Sequence, residues 1–237
     1  MSTTKIRKNT CKVISKPNIA ILGTLTTVLP LRLLVIDPAM SSGYAVFAWN
    51  GASIVSIEAY GDMAIEGVTN GHQCIAMMES VSELIKTHRP NRVLVEDYFF
   101  RGRTANGSTM NVALRAATWM ACTTCNVEYS TVPPITWKKF IVGRSKPSVS
   151  ENTMWGAHAD KIIVQHALWR LFSIRFPNHS ISHKTQKPVK MRYDAVDAVA
   201  MGIWYYSVNS LSAPITQWTN TVAISLDVPH IDSSYTY

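Results

Sequence analysis

Acidic residues are scarce in this chain, and none occurs in its first 36 positions. Across 237 residues, 15 Asp plus Glu stand against 23 Lys plus Arg, a formal net charge of +8. A surplus of that sign favours a polyanionic partner, such as nucleic acid or an anionic surface. Cysteine is scarce too. Cys11, Cys74, Cys122 and Cys125 are too few and too scattered for a disulfide framework, which suits a reducing compartment such as the cytoplasm. The Cys122-x-x-Cys125 pair has no second Cys or His pair at zinc-finger spacing and reads as buried helix residues. No long apolar run escapes interruption. The stretch 19–36 contains Pro30 and Arg32, and Thr24, Thr26 and Thr27 favour strand over a membrane helix. A basic arm leading into a strand is therefore expected, with no membrane partner, and no internal repeat is visible.

Periodicity supplies the elements. The run 31–36 (LRLLVI) reads as a buried strand ending at Asp37-Pro38, and 43–49 and 53–60 read as a hairpin around Asn50-Gly51. Ile75, Met78, Val81 and Ile85 mark one face of a helix over 72–88, and 92–96 (RVLVE) is a further buried strand. A Gly/Arg/Asn-rich loop, 101–108, leads to a helix over 109–123, then a strand over 127–132 stopped by Pro133-Pro134. Residues 144–157 read as a flexible insertion without apolar period, followed by helices over 158–173 and 193–207 around a basic loop. The order predicts a mixed α/β domain over 31–208 with a five-stranded sheet opening on a three-strand meander. A basic arm (1–30) precedes it and a polar tail (209–237) follows.

Against this background the placed acids stand out. Asp37 and Glu96 each end a buried strand, and the two strands can be neighbours. Asp194 and Asp197 sit three apart at the start of the last helix and share a face. Four converging carboxylates stay ionised together only when cations neutralise them. Mg²⁺ or Mn²⁺ takes such oxygen ligands, and two ions can clamp the attacking and leaving oxygens of a phosphodiester. Singly, each acid has a plainer explanation: Asp37 starts a turn, and Asp194 favours a helix N-terminus.

Five segments carry a resemblance. VIDPAMSSGYAV (35–46) and VLVEDYFF (93–100) resemble the first two motifs of the RuvC family of Holliday junction resolvases, which have the RNase H-like fold. WKKFIVG (137–143) and HADKIIVQHALWRLF (158–172) are similar to the family's basic stretches, and YDAVDAVAMGIWYY (193–206) to its closing D-A-x-D-A helix. The resemblance implies a homodimer making paired nicks across a four-way junction, with Asp37, Glu96, Asp194 and Asp197 as ligands of two metal ions. It implies phosphate or transition-state contacts for Lys138 and Lys161, and stacking at the branch point for Phe99. It departs from the family at Ala39, where many members have Gly, in a turn from Asp37 to Gly43 one residue short, as in phage-type relatives, and in the 144–157 insertion. A phage-encoded chain would act in its host's cytoplasm.

Loop cations flanking these motifs are candidate phosphate contacts: Arg101, Arg103, Lys139, Arg144, Lys146, Lys184, Lys187, Lys190 and Arg192. Tyr98 and Phe99 enter the Arg-rich loop as candidate stacking residues. Lys138 and Lys139, after Pro133-Pro134, are expected on an exposed turn. Rival readings are another RNase H-like nuclease or transposase acting on flaps or RNA–DNA hybrids, and a non-catalytic DNA-binding or packaging protein. Retaining four acids on a basic chain argues against the last, because unpaired carboxylates weaken phosphate binding. A sugar-kinase-like ATP site would need a second Gly-rich phosphate loop, and none is present.

Overall fold

The structure, a computed structural model, describes residues 32–49, 54–97, 105–156, 159–174, 176, 193–209 and 217–220. Strands β1 (Arg32–Asp37), β2 (Ser41–Trp49) and β3 (Ile54–Ala64) come first, then helix α1 (Asn70–His88) and β4 (Arg92–Glu96). Helix α2 (Ala105–Thr124), β5 (Glu128–Val132), α3 (Pro134–Val142), α4 (Val149–Trp155), α5 (Ala159–Phe172), α6 (Tyr193–Asn209) and β6 (Gln217–Asn220) complete the chain. The sheet order is β5-β4-β1-β2-β3-β6. β1, β2 and β3 form the antiparallel meander, while β4 runs parallel to both β1 and β5.

The period-2 alternation of the strands divides the core. Leu34 and Ile36 of β1, Val46 of β2 and Val93 and Val95 of β4 face α1 and α2. Leu33, Val35, Ala45, Phe47 and Leu94 face the other way, onto α3, α5 and α6. Continuing that alternation, Asp37 follows Leu33 and Val35, and Glu96 follows Leu94, so both acids fall on the α6 side. α6 is apolar nearly all round because it lies between the sheet and α3 and α5: from Ala195 to Ile203 every residue is buried.

Glycine makes this close approach possible. A Cβ on Gly202 of α6 would stand 2.0 Å from the ring of Phe47, and one on Gly43 of β2 would stand 1.9 Å from the Asp194 carbonyl oxygen. The sheet also bends locally. Val46 pairs with Ala59 but Phe47 with Ile57, so Glu58 is the extra residue of a bulge, and its carboxylate pairs with Arg32 at 3.0 Å.

Four expectations need correction. Lys138 and Lys139 lie on α3 and not on a turn, because Pro134 occupies the first helical position, where its missing N–H costs nothing. Residues 149–155 of the supposed flexible insertion form α4, started by a capping box between Ser148 and Glu151. α2 starts at Ala105, four residues earlier than its apolar spacing indicates. The polar tail contributes β6, a sixth strand pairing parallel with β3, so the sheet exceeds the expected five. Cys122 is buried in α2 and Cys125 half-buried beyond it, in agreement with the helix reading, and burial pushes the Cys122 thiol up to about 12. Among the described residues no helix is long and apolar enough to cross a membrane. The amino-terminal arm and the Asn50-Gly51 turn lie outside the described residues.

The tightness at Gly202 generates a prediction. Gly202→Val should lower unfolding stability by roughly 1–3 kcal/mol, the usual cost of overpacking, despite roughly 0.3–0.5 kcal/mol of gained helix propensity. A urea midpoint equal to wild type would show that Phe47 yields freely.

Candidate active site

β1 and β4 pair in parallel with Ile36 opposite Val95, so the next residues along, Asp37 and Glu96, are neighbours at the C-terminal ends of two interior strands. Asp37 also pairs with Gly43, and the absent side chain there admits the first turn of α6. That turn carries Asp194, whose Oδ2 accepts a 2.7 Å hydrogen bond from Ser41 Oγ. Asp62 of β3, opposite Gly43, accepts the backbone N–H of Ala195 at 3.2 Å and so helps seat the helix N-terminus. One turn further on, Asp197 is 2% exposed.

The Lys161 ammonium, from α5, lies among three of the acids. It is 3.3 Å from Asp37 Oδ2, 3.5 Å from Asp194 Oδ1, and in direct contact with Asp197 Oδ2. Burial opposes its charge, but the carboxylates of Asp197 and Asp37 outweigh burial and raise its pKa well above the ordinary lysine value. Lys138, from α3, pairs with Asp160 and is nearly buried. Burial again opposes the charge, and Asp197, Asp160 and Glu96 prevail and raise the pKa.

The acids respond in kind. Burial, reinforced by the Asp37 and Asp197 charges, holds the Glu96 carboxyl well above the usual range. Burial pushes Asp197 up to about 6, against the pull of Lys161 and Lys138. Glu96 Oε1 accepts a 2.9 Å hydrogen bond from the indole N–H of Trp137, a fully buried α3 residue. Asp197 Oδ1 is buried without a hydrogen-bond partner. An orphaned carboxylate oxygen is costly unless something positive completes it.

An all-oxygen donor set with one oxygen unspent suits a hard divalent cation. Among the described residues, no three His, Cys, Asp or Glu side chains are already gathered around one metal position. The ammonium of Lys161 bridges the acids instead.

The structure thus brings together Asp37, Glu96, Asp194, Asp197, Lys138 and Lys161. Lys139, Arg144 and Lys146 are exposed on or just beyond α3, and Arg144 pairs with Glu151 at 2.5 Å. Tyr98, Phe99, Arg101, Arg103, Lys184, Lys187, Lys190 and Arg192 lie outside the described residues. Sequence reasoning missed Ser41, Asp62, Trp137 and Asp160. Ser41, Trp137 and Asp160 stood within the quoted motifs, where a polar side chain two positions before Gly43, an indole beside Lys138 and an acid beside Lys161 were the available signals.

The family model for the crossover junction endodeoxyribonuclease RuvC matches residues 33–205. The chain belongs to the RuvC family. The family's members are structure-specific endonucleases that cut crossover-junction DNA and depend on divalent metal, and this chain is one of them. The fold agrees with solved relatives. Thermus thermophilus RuvC is similar at 16% identity with a TM-score of 0.52, over 75% of this chain and 96% of that one. The same protein in complex with a Holliday junction substrate gives 15% and 0.50, over 75% and 95%. The yeast mitochondrial Holliday junction resolvase gives 15% and 0.52, over 77% and 81%. A search of curated protein sequences returned no significant match.

The Trp137–Glu96 bond is testable without DNA. Trp137→Phe leaves a cavity as well as removing a donor, so a double-mutant cycle with Glu96→Leu isolates the bond. A coupling energy on the order of 1–2 kcal/mol in urea unfolding is expected. Additive losses would show that the indole N–H does not hold Glu96.

Proposed function

We propose that this chain resolves four-way DNA junctions by paired phosphodiester hydrolysis, acting as a homodimer with two Mg²⁺ or Mn²⁺ ions held by Asp37, Glu96, Asp194 and Asp197. The observation that carries the reading is the meeting of Asp37, Asp194 and Asp197 around Lys161, with Glu96 beside Asp37 in the sheet register. Thermus RuvC, solved on a Holliday junction, supports the substrate class.

The residues divide the work. Divalent metal, when bound, activates water for attack on phosphorus and offsets charge on the phosphate. Asp197 supplies its unspent Oδ1, Trp137 holds Glu96 towards the cluster, and Ser41 steadies Asp194. Lys161 and Lys138 bring preformed positive charge to where the phosphorane oxygens become more negative. Lys139, Lys146 and the loop cations Arg101, Arg103, Lys184, Lys187, Lys190 and Arg192 track the DNA backbone, while Tyr98 and Phe99 stack on bases opened at the branch.

The dimer has a physical motive on α2. Val112, Ala116, Trp119, Met120 and Thr123 recur at helical spacing and are all exposed, and none is charged. Trp119 is 55% and Met120 53% exposed, which in a +8 chain is an unusual concentration of uncovered apolar surface. A second copy presenting the same stripe about a two-fold axis covers it and sets two active sites in fixed relation.

Purified protein with Mg²⁺, offered four-way, flap and linear duplex substrates with cut positions mapped, tests the reading. Symmetric paired cuts in the four-way junction are expected. Cutting confined to flaps or RNA–DNA hybrids would favour the rival nuclease reading. Asp37→Asn, Glu96→Gln, Asp194→Asn or Asp197→Asn should each nearly abolish cutting while junction binding holds or tightens. A mutant of Asp37 that cuts at the wild-type rate would sink the assignment. Trp119→Glu should convert the protein to monomer by light scattering and uncouple the two nicks.

Lys161 gives a further prediction. Lys161→Met leaves buried carboxylates without their counter-charge, and should destabilise the metal-free protein towards the low end of roughly 3–5 kcal/mol, since Lys161 is a quarter exposed. Adding Mg²⁺ should then raise the melting temperature of Lys161→Met more than that of wild type. Equal metal-induced shifts would mean that ammonium and metal do not compete for the same carboxylates.

A further inference from the structure

A pocket of about 700 Å³ lies between the end of α3, α4 and α5, lined by Arg144, Glu151, Trp155, His166, Trp169 and Arg170 among others. Its volume is within the range of ligand sites. It opens on the flank of α5 opposite Lys161: His166 and Arg170 follow Lys161 by five and nine residues, about 140° and 180° around the helix. The pocket is therefore separated from the acid cluster by about one helix diameter, on the order of 10 Å.

Its wall has the composition of a stacking site. Trp155 meets His166 edge to face, with ring centroids 5.5 Å apart and an interplanar angle of 81°. Burial lowers the pKa of His166, so its imidazole is neutral, with one donor and one acceptor. Trp169, on the next turn of α5, is 49% exposed. Four cations, Lys139, Arg144, Lys146 and Arg170, stand on or beside the lining elements against one lining acid, Glu151. Glu151 is committed to Arg144 at 2.5 Å and to the capping box of α4, whereas Lys139, Lys146 and Arg170 form no ion pair among the described residues. Aromatic faces flanked by uncommitted cations are what an unpaired nucleotide requires, the base to stack and the phosphate to neutralise. A duplex cannot enter such a pocket with its bases paired.

We infer that the α3–α4–α5 pocket captures one unpaired nucleotide of the bound DNA, its base against Trp155 and Trp169 and its phosphate against Arg170. The inference rests on the branched-DNA reading, because a branch point supplies bases free to leave the stack at little cost. It also gives α4 a role, since that helix closes one side of the pocket.

The experiment is an abasic scan. Four-way junctions lacking one base at each position in turn are titrated with full-length wild type and Trp169→Ala, in EDTA so that no strand is cut. At one position, base removal should weaken wild-type binding about tenfold yet leave Trp169→Ala unaffected, because base and ring belong to one contact. Trp169→Phe should retain most of the affinity for intact junctions. Arg170→Gln should reduce the salt dependence of binding by about one unit of log–log slope. Losses that add at every position, or a Trp169→Ala protein that binds intact junctions like wild type, overturn the inference while leaving junction binding standing. A Trp169→Phe protein as impaired as Trp169→Ala, with a lowered melting temperature, overturns it as a structural effect. A wild type that binds no junction overturns the branched-DNA reading and this inference together.

Discussion

The burial of Asp197 is the constraint around which the rest of the molecule is arranged. A carboxylate on a helix that is apolar on every side loses most of its hydration, and in a low-dielectric surrounding that loss far exceeds what any single surface contact returns. Two charged lysines on separate helices, Lys161 and Lys138, are the response. Each is itself largely desolvated, and the carboxylates around it outweigh that burial and favour its charged form. Acids and lysines are thus mutually dependent. A site built this way is stable as a cluster and costly to take apart one charge at a time.

The backbone makes that cluster possible by bringing chain segments together more closely than side chains ordinarily allow. β1 and β4 must end at the same level for Asp37 and Glu96 to be neighbours, and their parallel register does this. α6 must then approach within contact of β2 at both ends, which requires the missing side chains of Gly43 and Gly202. Ser41 and Asp62 act at the seam, one fixing Asp194 and the other taking up the Ala195 N–H, one of the four donors a helix start leaves unpaired. The apolar core on the α6 side of the sheet and the charged site are therefore one construction, with the core supplying the rigidity that keeps like charges in proximity.

Most of this was legible in sequence because it follows from periodicity. Buried strands that stop at an acid, and two acids three apart on an apolar helix, announce their positions through period 2 and period 3.6 alone. The meander, the strand pairs and the four acids were readable for that reason. What escaped depends on three-dimensional proximity. Trp137 is a buried core aromatic, but the aim of its N–H at Glu96 follows from where the fold sets α3 beside β4, which no local period reveals. Lys138 looked exposed because Pro133-Pro134 was read as a stop, when Pro134 is also a good first residue of a helix. α4 has no apolar period because none of its residues is buried, and only its Ser148–Glu151 capping box marks it. β6 is short and polar, and it forms because β3 offers an unpaired edge, which no local pattern records.

α5 shows how local chemistry and substrate recognition come to depend on one element. Its buried residues Ile163, Val164, Ala167 and Leu168 anchor it in the core, leaving two opposite flanks. One flank sends Lys161 into the acid cluster, and the other presents His166 and Arg170 to the pocket. A helix packed so firmly moves as a rigid body, so a ligand that shifts one flank also displaces the other. The packing that fixes α5 also holds the Lys161 ammonium among the carboxylates of Asp37, Asp194 and Asp197.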